Sequence, residues 1–300
     1  MNDMAPHLLT VDVEDWPQST LDHDLPIGDR VVANTHRLLE ILAEAGVKGT
    51  FFVLGKVAER HPKLSREIAA MGHEVATHGY SHESVEDMPI ERFKKELHRS
   101  VELLRQQVGQ PILGHRAADF SISERSLSIL ECLVEQGLAY DSSIFPIQHP
   151  RYGIPGACRR PHLVRASSKA LLVEFPLPTV GVGPLSLPVA GGGYLRCFPY
   201  WWTKLALRMI GADGSMAACY LHPYELDTDE LDETPYSIPN SLRWSQFTNR
   251  KSVQSKLVRL LGDFHFLTMG EACKKIRAEL QVALDLGHCP IGYQALSRSV

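Results

Sequence analysis

The chain has 300 residues, with 31 Lys and Arg against 35 Asp and Glu, a formal net charge of −4. Its 44% hydrophobic and 22% charged residues are those of an ordinary globular protein, which excludes disordered and fibrous classes. The mildly acidic balance also lacks the basic footprint that nucleic acid or an anionic membrane surface requires. The unusual count is 14 His against 7 Met and 9 Tyr, and position rather than number decides its meaning.

Short apolar runs alternate with longer amphipathic segments along the chain, the pattern of a β/α architecture. Leu8–Val13 reads as a strand and Arg30–Ala45 as a helix closed by Gly46. A strand over Gly49–Val53 precedes a helix from about Lys56 to Met71, closed by Gly72. His73–Thr77 is a third strand, and Asp87 with Pro89 opens a long helix to about Val108. Ile112–His115 is a fourth strand, after which Ser121 and Glu124 offer a capping box for a helix ending at Gly137. Leu171–Phe175 and Met216–Leu221 are later strands. Pro199–Ile210, Val253–Leu261 and Gly270–Leu286 are helical by pattern. The stretch from about Phe145 to Tyr194 reads as an irregular insertion. With no repeat, low-complexity run or linker, one domain over 1–300 is expected.

The six cysteines are scattered without a C-x-x-C pair, which predicts reduced thiols rather than a zinc ribbon or a stapled fold. The N-terminal stretch has no basic region followed by a long apolar run, so no signal peptide is predicted and a cytoplasmic location is expected. The least charged stretch, Lys169 to Leu195, carries four prolines and five glycines and cannot form a spanning helix. The sequence leaves homo-oligomerisation open.

In parallel β/α folds, functional side chains gather at the carboxyl ends of strands. The first strand ends in Asp12, Glu14 and Asp15, and a period of two puts Asp12 and Glu14 on one face. Taken alone, a solvated strand end accounts for them. The third strand runs into His78 and His82, four apart, a spacing that lets both grip one metal ion. A lone H-x-x-x-H pair is weak, but a neighbouring carboxylate makes it a facial two-His, one-carboxylate site with open positions. The fourth strand ends in His115-Arg116, and Arg116 at this height can pair with Asp12. Tyr140-Asp141-Ser142-Ser143 and His222-Pro223 lie at two further strand ends, and a histidine held by a following proline suits acid–base work.

Together these stretches resemble the five motifs, in order, of the polysaccharide deacetylases of carbohydrate esterase family 4. LTVDVEDW (Leu9–Trp16) resembles the first and GHEVATHGYSH (Gly72–His82) the second, a metal motif and the most specific match. HRAADFS (His115–Ser121), YDSS (Tyr140–Ser143) and YLHP (Tyr220–Pro223) resemble the third, fourth and fifth. The match spans roughly residues 8 to 225. Gly191-Gly192-Gly193-Tyr194 and the segment Leu221–Asp227 resemble a branch found with exosortase/PEP-CTERM exopolysaccharide loci. That branch is similar in turn to a peptidoglycan deacetylase and metal-independent allantoinase group.

The resemblance implies a distorted (β/α) barrel of about seven parallel strands, with C-terminal helices over 248–286 packed on it. It implies hydrolysis of N-acetyl groups on amino-sugar units of an oligo- or polysaccharide, releasing acetate. A divalent ion, zinc the expected one, would be held by His78, His82 and Glu14 or Asp15; strand alternation favours Glu14. Asp12 would be the base, His222 the acid, Arg116 the partner of Asp12 and Asp141 the group orienting His222. A backbone N–H near Asp141–Ser143 would share the oxyanion with the metal, and Trp16, Tyr80 and Phe145 offer faces for sugar rings. Two departures stand out: the usual adjacent Asp-Asp is spread over Asp12, Glu14 and Asp15, and Ala118 replaces the usual proline. Two other readings are a metal-independent, allantoinase-like hydrolase of a small cyclic amide or ureide, and a catalytically silent sugar-binding component of an exopolysaccharide assembly.

Overall fold

The computed structural model describes residues 4–149, 152–165, 171–182, 185–285 and 293–294. The first strand, β1 (His7–Val13), is buried along its whole length, as a central strand of a parallel sheet must be. Then come α1 (Arg30–Ala45), β2 (Thr50–Val53), α2 (Gly55–Arg60), α3 (Pro62–Ala70), β3 (Glu74–Thr77), α4 (Ile90–Val108), β4 (Gly114–His115), α5 (Ile129–Glu135) and β5 (Tyr140–Asp141). Two antiparallel pairs follow: β6 (His162–Arg165) with β7 (Leu171–Glu174), and β8 (Thr179–Val182) with β9 (Leu185–Pro188). Next are α6 (Gly192–Cys197), α7 (Tyr200–Ala212), β10 (Ala218–Leu221), α8 (Glu230–Glu233), α9 (Asn240–Leu242), α10 (Val253–Asp263), β11 (Phe266–Leu267), α11 (Met269–Asp285) and β12 (Tyr293–Gln294).

The sheet order is β10-β1-β2-β3-β4-β5-β7-β6-β12, with β11 also pairing β1. From β10 to β7 every neighbour is parallel, giving the seven-stranded, barrel-like α/β sheet that the motifs imply. One row of paired residues runs Val13, Val53, Thr77, His115, Asp141 and Glu174 across six strands. Because side chains alternate, the next residue on each strand points to the opposite face. The outer face carries Val11, Val13, Phe51 and Val53 into a core shared with α1 and α4, while Phe52, Ala76, Tyr140 and Val173 form a separate inner core.

The helices follow their apolar spacing. The α1 helix buries Val31, Thr35, Leu38, Leu39 and Leu42 and ends at Gly46, whose φ of 65° is the left-handed cap glycine favours. The single helix expected over Lys56–Met71 is two, because Pro62 has no N–H to continue the first and starts α3 instead. The capping box at Ser121 and Glu124 does not form. The Ser121 hydroxyl donates to Ala118 O and accepts from Val85 N–H, and the helix begins eight residues later at Ile129. The stretch read as irregular contains both antiparallel pairs, whose four-residue strands are too short to show a period. The last residue of the helix expected over Gly270–Leu286 lies outside the described residues. So does Cys289, while the other five cysteines are free thiols.

Candidate active site

The carboxyl ends of β1, β3 and β10 supply the cluster, with β10 and β1 adjacent and β3 one strand beyond β2. Glu14 leaves β1 on the inner face, and its Oε2 lies 3.2 Å from His78 Nε2 and 2.5 Å from His82 Nε2. All three side chains are buried, and their donor atoms lie within 4.8 Å of one another. His78 Nδ1 donates to Arg116 O at 2.9 Å, which fixes the ring and points Nε2 toward Glu14. His82 reaches the cluster from a left-handed backbone position, φ 67°. Asp15 does not take part: its carboxylate accepts the Gly28 N–H at 2.9 Å, and burial raises its pKa despite that bond.

These donors fit a divalent ion. Two imidazole nitrogens and one carboxylate oxygen are the ligand set of an open zinc-type site. Burial disfavours ionised Glu14, yet the imidazoles of His82, His78 and His222 hold its carboxyl well below the usual range. The same attraction raises His82 against the opposing effect of burial. A buried carboxylate that draws a proton onto its neighbour is a site short of positive charge, which a cation can supply in the proton's place.

Asp12, two residues earlier on the same face, is bound by Arg116. The guanidinium is fully buried and gives Nη1 to Asp12 Oδ1 at 2.7 Å and to Thr10 Oγ1 at 2.9 Å. Its Nε and Nη2 hold Ser142 O and Oγ at 3.0 and 2.9 Å, and the plane lies 4.2 Å from the Phe52 ring centroid. With its donors so committed, Arg116 can move only with β5, so Asp12 is held from one side and its Oδ2 faces the cavity.

His222 follows β10 directly. Its Nε2 is 3.9 Å from Asp12 Oδ2 and 3.8 Å from Glu14 Oε1, too far for hydrogen bonds, so that nitrogen remains available to a substrate. The ring stacks on Tyr224, with centroids 4.8 Å apart. Behind it, Glu225 Oε2 lies 3.5 Å from Nδ1 and accepts the His222 N–H at 3.2 Å, while Glu225 Oε1 takes a 3.1 Å bond from buried Arg196. Burial lowers the His222 pKa, but the carboxylates of Glu225, Glu14 and Asp12 outweigh it and push it up to about 9. The turn carrying these residues is fixed to α1, where Arg30 forks Asp227 with bonds of 3.0 and 2.9 Å.

Several expected roles are corrected. Asp141 does not orient His222. It stands in the row of His115 and Glu174, on the face opposite Arg116, and its Oδ1 accepts from His115 Nδ1 at 2.7 Å and from Ser143 Oγ at 2.8 Å. Its Oδ2 takes the Ser143 N–H. The N–H groups proposed for an oxyanion are also committed, Ser142 to His115 O, Ser143 to Asp141 and Ile144 to Glu174. Trp16 and Phe145 are fully buried, and Tyr80 bonds Glu59 beneath the Arg99 guanidinium, so none of the three borders the cavity.

The cavity has a volume of about 720 Å³ and is bordered by Asp12, Glu14, His78, His82 and His222. Sequence reasoning missed Glu225, Arg196 and Trp244 around it. Glu225 was signalled by its place three residues after His222, within reach in a tight turn. Arg196 and Trp244 had no such signal.

A barrel-like sheet with this cluster at its strand ends is the setting of the likenesses found: part of the chain is similar to the polysaccharide deacetylase family, and the fold is shared with solved structures. Residues 19–134 match that family, polysaccharide deacetylase, and residues 142–274 match a domain of unknown function, DUF3473. A peptidoglycan deacetylase-like protein of Gibberella zeae is 32% identical over 110 residues, 36% of this chain and 32% of that protein. A chitooligosaccharide deacetylase of Rhizobium leguminosarum bv. trifolii is 36% identical over 81 residues, 27% and 38% of the two chains. The matches thus span about a third of each curated relative. A Mycobacterium smegmatis structure described provisionally as a polysaccharide deacetylase shares the fold, with a TM-score of 0.64 at 22% identity over 98% of this chain and 96% of that one. An allantoinase structure does so at a TM-score of 0.62 and 14% identity, covering 90% and 89%. Among the described residues, no helix is long and apolar enough to cross a membrane.

Proposed function

We propose that this chain removes N-acetyl groups from amino-sugar units of a polysaccharide or its biosynthetic intermediate, as a metal-dependent hydrolase. The observation that carries the reading is that Asp12, His222 and the Glu14–His78–His82 cluster border one cavity. An amide is a poor electrophile, so its hydrolysis needs a base for water, stabilisation of the developing oxyanion and a proton for the leaving nitrogen. A divalent ion at the cluster, expected to be zinc, supplies Lewis acidity to water and to the acetyl carbonyl.

The residues do the rest. Asp12, oriented by Arg116, accepts a proton from water as the new C–O bond forms. The C–N bond then breaks, and His222 donates its Nε2 proton to the departing amine. Glu225 holds the imidazole by its far side, and acetate and a free amino sugar leave. Protons return through solvent, from Asp12 and to His222, which balances the cycle.

The buried carboxylate between two imidazoles favours this reading over a metal-independent hydrolase of a small ureide, which has no use for such a cluster. A silent sugar-binding role leaves the Asp12–Arg116 and His222–Glu225 couples without a task. The test is acetate release from N-acetylglucosamine oligomers by the purified protein. Release that stops with chelator is expected; a small ring-opened acid from a ureide, with no acetate from any oligomer, would overturn the proposal.

A further inference from the structure

Of the large aromatic side chains that line the cavity, Phe120, Tyr220 and Tyr224 are buried and Tyr152, Tyr194 and Phe198 half-buried, whereas Trp244 is 76% exposed. It borders the same cavity as Asp12 and His222. Its turn, Arg243–Phe247, is tied to its surroundings by several side-chain bonds that leave the indole out. Arg243 Nε donates to Ile238 O at 3.1 Å, Arg196 Nη2 to Ser245 O at 2.6 Å and Thr248 Oγ1 to Trp244 O at 2.5 Å. Phe247 packs edge-on against Trp16, ring centroids 4.7 Å apart, with the Arg250 guanidinium 3.9 Å from its own centroid. A large apolar ring on a rigid turn at the mouth of a polar cavity is a preorganised platform for a ligand that is itself part apolar.

We infer that Trp244 forms a subsite for a pyranose ring of the glycan, next to the unit whose acetamide reacts. A pyranose presents one face of C–H groups edged by hydroxyls, which suits an indole in a cavity that polar Thr20, Ser245 and Gln246 also line. The distance to the chemistry is short but not zero. Ser245, adjacent in the chain, bonds Arg196, which bonds Glu225, which faces His222. The platform therefore takes a neighbouring sugar rather than the reacting acetamide, and it makes chain length a determinant of binding. The other strongly exposed tryptophan, Trp201 on α7, does not border this cavity.

The inference rests on the deacetylase reading of the same site, and its test separates the two. Binding of N-acetylglucosamine and its oligomers of two to five units is measured by isothermal titration, with acetate release followed in parallel, for the native chain, Trp244→Ala, Trp244→Tyr and Trp244→Leu. Trp244→Ala is expected to weaken the longest oligomers about tenfold and the monosaccharide less than about twofold, with Tyr restoring most of the loss and Leu little of it. Equal affinity of the native chain and Trp244→Ala at every length overturns the subsite, as does failure of every oligomer to bind. Length-dependent binding that Trp244→Ala removes, with no acetate released by the native chain, would keep the subsite and overturn the deacetylase reading. An unchanged thermal midpoint in Trp244→Ala is expected, since the side chain it removes lies in solvent.

Discussion

Two histidine–carboxylate couples lie at strand ends of the same sheet, and they have opposite surroundings. His222 and Glu225 follow β10, where His222 Nε2 looks across the cavity toward Asp12 and Glu14. His115 and Asp141 sit on β4 and β5, both with no exposed surface, facing Phe93 of α4. Each is a histidine held by an acid, yet only the first can meet a substrate. The difference is one of strand parity: a single residue moves a side chain from the cavity face to the helix face. In such a sheet, motif order names the strands that matter but not the partner each side chain finds.

The contrast predicts that the open couple governs turnover and the sealed one stability. His222→Ala and Asp12→Asn should each lower kcat by about 10²- to 10⁴-fold while the thermal midpoint stays near that of the native chain. Full activity in either variant would break the assignment. His115→Ala should instead cost about 2 to 4 kcal/mol of stability in denaturant unfolding, since it opens a cavity and leaves Asp141 short of a donor. The fraction that remains folded should turn over at close to the native rate.

A smaller effect sharpens the role of Glu225. His222 must be an imidazolium to donate, and its pKa is raised from 6.5 to about 9, so activity should persist below that limb and fall as pH rises through it. A cation on Glu14 cancels one of the three carboxylates responsible and brings the limb of the metal-bound protein below 9. Glu225→Gln removes another, so a further downward shift of the limb and a loss of about tenfold in kcat are expected from a pH–rate profile. The same shift contributes stability that is complete below pH 6.5 and is lost as pH rises through about 9.

The smallest effect belongs to Glu174, in the row of the sealed couple. Burial, with the Asp141 charge and a hydrogen bond to it, raises its pKa well above the usual carboxylate range, which favours the protonated form. That stabilising contribution is complete below the unfolded pKa of about 4.5 and is lost as pH rises through the raised folded value. Glu174→Gln keeps a neutral donor of the same shape and lacks the cost of holding a carboxyl protonated, so it should match the native chain within about 1 kcal/mol below about pH 4 and exceed it in stability as pH rises. It should also flatten the alkaline loss of stability seen in unfolding curves.

The sequence was informative where chemistry follows from spacing along one segment. The apolar run ending in Asp12 and Glu14, the His78–His82 interval and the glycine after α1 all specify local geometry, and the seven parallel strands follow from β/α alternation. Partnerships between strands were legible only when parity and register agreed. Arg116 reaches Asp12 because both stand on the inner face, whereas Asp141 does not share a face with the cavity. Arg196 and Trp244 lie 26 residues before and 22 after His222, on elements whose place near the cavity is set by tertiary packing alone. Trp16 illustrates the converse: a tryptophan beside the cavity carboxylates in sequence is buried under Phe247 in space.

The central claim is that Glu14, His78 and His82 hold the ion on which acetate release depends. The most direct measurement is acetate release from an N-acetylglucosamine oligomer by native protein, by the same protein stripped with chelator, and after stoichiometric zinc is returned. The account predicts activity lost on stripping and recovered with zinc, and no recovery by zinc in Glu14→Ala. Undiminished acetate release from metal-free protein would contradict it.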